Sequence, residues 1–398
     1  MTLLAGVLAL ALPAVSASAI PVIEVGGTDA RRAAAPVTVP GRAPLGARTA
    51  STSSLRVLDA SDVATRTNGK IVGIDPKEGT YTCSGTAINT PSRSMVLTAG
   101  HCVVLEGVAA VLHCAGPFSA TSRPMLAACL RAGAHYLDIT GEIPVFEEIH
   151  SRRQEVRDAG IVAIPGVGFD VVPTDCLAAM LKRELESATH LKLAFKSRYG
   201  KLSPGTAKTM VEGLAEGGRI RENGRIVKVP AAYKVETFPF TESLSASAVT
   251  IPWGDVATAY YSTGIPNIEV FVGVPETEIA RMKMPGVLRW VVGQAPVQAL
   301  LKALIARRVK GPTDEERARD EVYLYGEASD DTGRKVALRL RTREGYTLTA
   351  ESGVTATLKV MERRLAPGVY TPSVAFGADY VLELEGTTLS RVATATRN

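Results

Sequence analysis

The chain has 398 residues, a formal charge of +5 from 45 basic and 40 acidic side chains, 46% hydrophobic residues and 36 glycines. This is the composition of a globular chain of two or three domains, and it excludes a fibrous or wholly disordered one. The charge is spread over both halves without a basic footprint, which argues against a nucleic-acid partner, and no apolar run is long enough to span a bilayer. Five cysteines form no C-x-x-C pair, so neither a zinc ribbon nor a thioredoxin-type redox site is expected, and no metal site has its spacing. Residues 1–19, MTLLAGVLALALPAVSASA, read as a signal peptide with small residues at Ala17 and Ala19. Residues 20–67 are rich in Pro, Ala, Thr, Ser and Arg, and no aromatic residue precedes Tyr81, so they read as a disordered pro-segment or linker.

From Asn68 short β-like runs follow at Lys70–Ile74, Thr80–Ile88 and Met95–Ala99, separated by turn residues. The strings around Cys83-Ser84-Gly85-Thr86-Ala87 and Thr98-Ala99-Gly100-His101-Cys102 resemble the trypsin-like serine proteases around their catalytic histidine. The resemblance covers about residues 68–103. It implies a Cys83–Cys102 disulfide and a general-base role for His101. The chain has no G-D-S-G and no G-x-S-x-G to supply a nucleophile, so on this reading a secreted endopeptidase is incomplete.

After Cys102 buried strands alternate with amphipathic helices, the pattern of a parallel sheet covered on both faces. Val108–Cys114, Ala134–Ile139 and Ile161–Pro165 are predicted strands. The helices between them are predicted to open at Ser122-Arg123-Pro124 and to run over Ile143–Ala159, closing at Gly133 and Gly160. In doubly wound sheets ligands sit beyond the carboxyl ends of the strands, where Ala115–Phe118, Thr140–Glu142 and Gly166–Asp170 fall. A helix over Thr174–Leu185, an Asn223-Gly224 hairpin and a strand pair Val322–Ala328 and Lys335–Arg341 are expected farther on. Leu288–Arg307 is amphipathic; it reads as a helix packed on the sheet rather than one that meets a membrane or partner.

The strings VLHCAGPF, ACLRAGAHYLDITGE, PGVGFDVVPTD, AVTIPWGDVATAYYSTGIPN and YTPSVAFGADYVLEL together resemble the saccharopine dehydrogenase-like NAD(P) oxidoreductases, in particular the trans-acting enoyl reductase branch, over about residues 104–390. The resemblance implies an α/β fold, with a partial Rossmann domain at 104–189, an inserted mixed α/β domain for substrate or dimerisation at 190–344, and a return segment at 345–398 packing on the Rossmann part. It implies NADP or NAD as cofactor, a small-molecule or lipid-like substrate and a cytoplasmic or membrane-associated body, and it is compatible with a homodimer. It places Ala115, Gly116, Pro117 and Phe118 against the nicotinamide, with Thr140, Gly141 and Glu142 beside them.

The family begins with a strand and a glycine-rich turn that holds the cofactor pyrophosphate, and no G-x-G-x-x-G or G-x-x-G-x-x-G occurs here. The Rossmann sheet therefore starts at about its fourth strand, leaving the Val108–Cys114 edge to be covered, with Lys70–Ala99 as the candidate cover. A junction near Val103–Val104 is inferred. The alternatives to an impaired oxidoreductase are the incomplete secreted protease and a fusion with neither activity. Of the remaining candidate groups, His113 and His135 read as core histidines, Cys114, Cys129 and Cys176 as inert buried thiols, and Asp170 or Asp175 as a helix cap.

Overall fold

The computed structural model describes residues 69–75, 79–89, 94–98, 108–200, 207, 211, 217–282, 290–362 and 365–392, with backbone only for 69–98. The signal-peptide and linker assignments, and the His101 and Cys102 positions, lie outside the described residues.

Strands β4 (Val108–His113), β5 (His135–Asp138) and β6 (Val162–Ile164) pair in parallel and are mostly apolar on both faces. Val111, Tyr136 and Ala163 point to one face, where they pack on helices α1 (Phe118–Ala132), α2 (Ile143–Ser151) and α3 (Arg153–Asp158). Leu112, Leu137 and Ile164 point to the other, onto α4 (Val172–Glu184) and a long helix, Gly345–Glu362. Burial on both faces makes these strands continuous apolar runs, and period-two alternation divides them between two helical layers. Gly133 and Gly160 close their helices at φ +67° and +68°, the left-handed conformation expected of a C′ glycine. The predicted helix over 143–159 is interrupted at Arg152, and α1 begins at Phe118, five residues before Arg123 and with Pro124 inside it.

The exposed edge of β4 is covered. Strands β1 (Gly69–Asp75), β2 (Gly79–Asn89) and β3 (Ser94–Thr98) form an antiparallel meander, and β3 pairs with β4 in parallel from Ser94–Val108 to Thr98–His113. The meander therefore continues the first sheet beyond β4, with β3 as its parallel neighbour.

A second sheet begins with β7 (His190–Ser197). It includes the hairpin β8 (Gly218–Glu222) and β9 (Arg225–Val229), whose turn residues Asn223 and Gly224 have φ +49° and +78°, as a type I′ turn requires. Strands β10 (Val235–Pro239), β11 (Ser245–Thr250) and β12 (Asn267–Gly273) lie on one side of β7. On the other side lie β13 (Glu321–Ser329) and β14 (Lys335–Arg343). Phe238 meets Tyr325 at 5.5 Å between ring centroids although their strands are far apart in the sheet order, so the sheet curls around an aromatic core.

Helix α5 (Asp255–Thr263) follows β11, and the helices α6 (Glu276–Met282), α7 (Ala295–Arg308) and α8 (Asp314–Arg319) lie between β12 and β13. The chain then returns to the first sheet through α9 (Gly345–Glu362) and β15 (Gly368–Val369), which pairs with β6. It ends in α10 (Pro372–Phe376), a 3-10 helix (Ala378–Glu383) and β16 (Thr388–Arg391) on β14. The expectation that 288–307 packs on the sheet is not met. Leu301 and Ile305 of α7 bury against Ala207, Val211 and Val292 in a separate cluster.

A chain that starts at residue 104 would leave β4 as a flat apolar edge. It is expected to elute as aggregate in size-exclusion chromatography under conditions that keep the full chain monodisperse; a monodisperse shortened chain would show that β3 is not needed.

Candidate active site

The carboxyl ends of β5 and β6 are tied together by Asp138, which is fully buried at the last position of β5. Its Oδ1 accepts the Thr140 N–H at 3.0 Å and the Gly166 N–H at 2.8 Å, and its Oδ2 accepts the Tyr136 hydroxyl at 2.6 Å. The Val167 N–H donates to the Asp138 carbonyl at 2.7 Å. One side chain therefore shapes both the β5–α2 and β6–α4 loops. Burial pushes its carboxyl up to about 6; the three donors oppose the shift and nearby Glu142 adds to it.

Thr140 accepts the Glu142 N–H on its hydroxyl at 3.1 Å, and the Glu142 carboxylate reaches across to α1. Its two oxygens accept the Phe118 and Ser119 N–H groups at 2.7 and 2.8 Å. Thr121 donates to the Ala115 carbonyl at 2.6 Å and stands 2.9 Å from Nε2 of buried His113. The structure thus brings Ala115, Gly116, Pro117, Phe118, Thr140, Gly141 and Glu142 together. It also commits the Glu142 carboxylate to the first turn of α1, neutralising a helix N-terminus that would otherwise attract an anion.

A helix-cap role is expected for at least one of Asp170 and Asp175, but neither caps α4, which starts without a side-chain cap. Asp175 turns inward, accepting the Ser262 hydroxyl and the Ser373 N–H, the latter at 2.7 Å. Asp170 is half-buried, and no described residue donates a hydrogen bond to it. Burial alone pushes its carboxyl up to about 7. It lies against the backbone of Gly141, where a Cβ would sit 2.5 Å from its Oδ2, so the β5–α2 turn needs glycine there. Gly254 also presses on this turn, close enough that its own Cβ would stand 3.3 Å from the Gly141 carbonyl.

The adjoining Trp253 ring meets Phe195 at 4.8 Å, and Phe195 meets Phe169 at 5.9 Å. The Trp253 indole N–H is buried and has no acceptor among the described residues. Asp170 thus lies against Gly141, and the Trp253–Phe195–Phe169 ring cluster adjoins this contact in sequence through Gly254 and Asp170.

Cys129 and Cys176 are buried free thiols, burial pushing Cys129 up to about 12, whereas Cys114, expected to be buried, is exposed just past β4. The proposed Cys83–Cys102 pairing falls on side chains outside the described residues. No group of metal-ligating side chains occurs among the described residues. Two surface clefts of about 230 and 210 Å³ lie on the second sheet, away from the strand ends.

No protein-family model matches the chain. The trans-acting enoyl reductase of Mycobacterium tuberculosis is 30% identical over 141 residues, spanning 32% of this chain and 33% of that protein. The Homo sapiens saccharopine dehydrogenase-like oxidoreductase is 26% identical over 119 residues, 28% of each chain. The chain is similar to saccharopine dehydrogenase-like oxidoreductases. It spans about a third of the length of the curated relatives it matches. Among solved structures, apo saccharopine dehydrogenase (L-Glu forming) from Saccharomyces cerevisiae covers 73% of this chain and 86% of its own, at TM-score 0.48 and 12% identity.

The Asp138 junction predicts a contrast between two substitutions. Asp138→Ala leaves two N–H groups and the Tyr136 hydroxyl without an acceptor and is expected to cost about 3 kcal/mol or more in urea denaturation. Asp138→Asn keeps an oxygen for both N–H groups and is tolerated. Because burial raises the folded carboxyl from 3.8 to about 6, its contribution is fully present below pH about 4 and is lost by pH about 6. The natural chain should therefore lose on the order of 3 kcal/mol relative to Asp138→Asn across that window. Parallel stability curves for the two proteins would overturn this account.

Proposed function

We propose that this chain is an oxidoreductase of the saccharopine dehydrogenase-like, enoyl reductase type that keeps the substrate side of its site and lacks much of the cofactor side. The observation that carries the reading is Asp170, a carboxyl held near neutrality with no described donor, beside Gly141 at the strand-end crevice. A group with that titration point can exchange a proton at physiological pH, and reduction of an unsaturated bond requires one. The Phe169, Phe195 and Trp253 rings favour a small apolar or lipid-like substrate, and the Trp253 N–H suits a substrate carbonyl oxygen.

The residues present do not fit an intact nicotinamide dinucleotide. The sequence has no glycine-rich pyrophosphate turn, and the α1 N-terminus is closed by Glu142. What remains for NAD or NADP is the surface formed by Gly116, Pro117 and Phe118 with Thr140 and Gly141. Losing two or three charge-assisted N–H contacts removes on the order of 4 kcal/mol or more, about a thousandfold in affinity.

NADPH fluorescence titration of the purified chain should therefore saturate only in the millimolar range, and supplying a complete β-α-β-α-β start ahead of Val108 should restore micromolar binding. A low micromolar dissociation constant for the chain as it stands would contradict this reading. Asp170→Asn should lower turnover at saturating cofactor by about a hundredfold or more and abolish a titration near pH 7 in the pH–rate profile, with folding unchanged. An unaltered profile would remove Asp170 from proton transfer.

A further inference from the structure

The segment from Ile279 to Thr313 contains seven basic residues, Arg281, Lys283, Arg289, Lys302, Arg307, Arg308 and Lys310, and no aspartate or glutamate. In a chain with 45 basic and 40 acidic residues this is a pronounced local segregation, and it ends at the acidic first turn of α8. Helix α7 lies within it. Its inner face, Leu301 and Ile305, is buried, and the Gln298 side chain donates to the Val211 and Val292 carbonyls at 2.9 Å.

The opposite face carries Pro296, Ala299, Leu300, Ala303 and Arg307 at helical spacing, and all five are exposed. A surface helix ordinarily turns charged and polar residues outward; this one turns out small and aliphatic side chains, with Arg307 at one end. Leu300 is 45% exposed, and Trp290, just ahead of the helix, is 67% exposed. Arg308, the last residue of the helix, and Lys310 just beyond it are also exposed.

We propose that this face of α7, with Trp290, docks on the surface of an anionic lipid bilayer. An exposed apolar helix face with a tryptophan and flanking cations is what an interfacial helix needs: side chains that enter the headgroup boundary and charges that meet acidic lipids. The charge argues against a second copy of the chain as the occupant, because a two-fold contact would bring two all-basic segments together. The attachment is peripheral, since no helix among the described residues is long and apolar enough to cross a membrane. The inference does not depend on the proposed oxidoreductase activity.

The test is co-sedimentation of the full chain with phosphatidylcholine vesicles and with vesicles in which about 30% of the lipid is phosphatidylglycerol. Binding is expected to the anionic vesicles only, with a fall of about tenfold or more in about 0.5 M salt. Leu300→Asp and the pair Arg307→Glu with Arg308→Glu should each weaken binding at least about tenfold. These positions are exposed, and unchanged circular dichroism would confirm that the variants fold. The proposal is overturned if the chain ignores the anionic vesicles, if it binds neutral and anionic vesicles alike, or if either variant binds as the natural chain does. A lipid-free dimer that Leu300→Asp converts to monomer would also overturn it, by assigning the face to self-association.

Discussion

The buried carboxylate of Asp138 is the point on which the strand-end architecture depends. Two loops, β5–α2 and β6–α4, leave adjacent strands and carry backbone N–H groups that no strand partner can satisfy. Asp138 accepts one from each, together with the Tyr136 hydroxyl from its own strand. Unpaired, each of those groups would carry a desolvation penalty of about 1–3 kcal/mol, so the satisfaction of its donors offsets part of the cost of burying the carboxyl, which still stands raised. Through Thr140 the same junction positions Glu142, and through Gly166 it begins the loop that delivers Asp170.

A second constraint follows from the first. With Glu142 directed at the Phe118 and Ser119 N–H groups, α1 is stabilised by the chain's own carboxylate rather than by a ligand phosphate. Asp170 has no such donor among the described residues, and its burial raises its carboxyl without an opposing hydrogen bond there. The two acids stand close in the fold and differ in their partners: Glu142 accepts two N–H groups at a helix end, and Asp170 rests on Gly141. The covered edge of β4 belongs to the same economy of unsatisfied groups: β3 supplies backbone partners to an edge that would otherwise lie open.

Much of the fold was legible. The alternation of buried strands and amphipathic helices from 108 to 185 is a local pattern, as are the terminal glycines 133 and 160 and the Asn223-Gly224 turn. Each depends on the periodicity or φ preference of residues close in sequence. The seven residues between Ala115 and Glu142 that the resemblance suggests for a cofactor follow strand ends in the sequence, and they lie near one another in the fold. Less legible were Asp170 and Asp175. A carboxylate next to a helix start is locally a cap, and only packing reveals that Asp175 meets Ser262 and Ser373 while Asp170 rests on Gly141. The course of 288–307 was misjudged for a similar reason: its amphipathic spacing shows that one face is buried, but not against what.

By itself the sequence determined the α/β character of residues 108–392, the resemblance that points to an oxidoreductase, and the absence of a glycine-rich cofactor turn. These are properties of residue type, order and spacing. Tertiary structure alone decided that β3 closes the edge of β4, that Asp138 joins two loops, that Glu142 caps a helix and that Asp170 keeps a near-neutral carboxyl. Each of those outcomes depends on which groups meet across tens of residues, and on how much water their meeting excludes. Hydrogen bonding and desolvation are set by that proximity, which local sequence preferences do not encode.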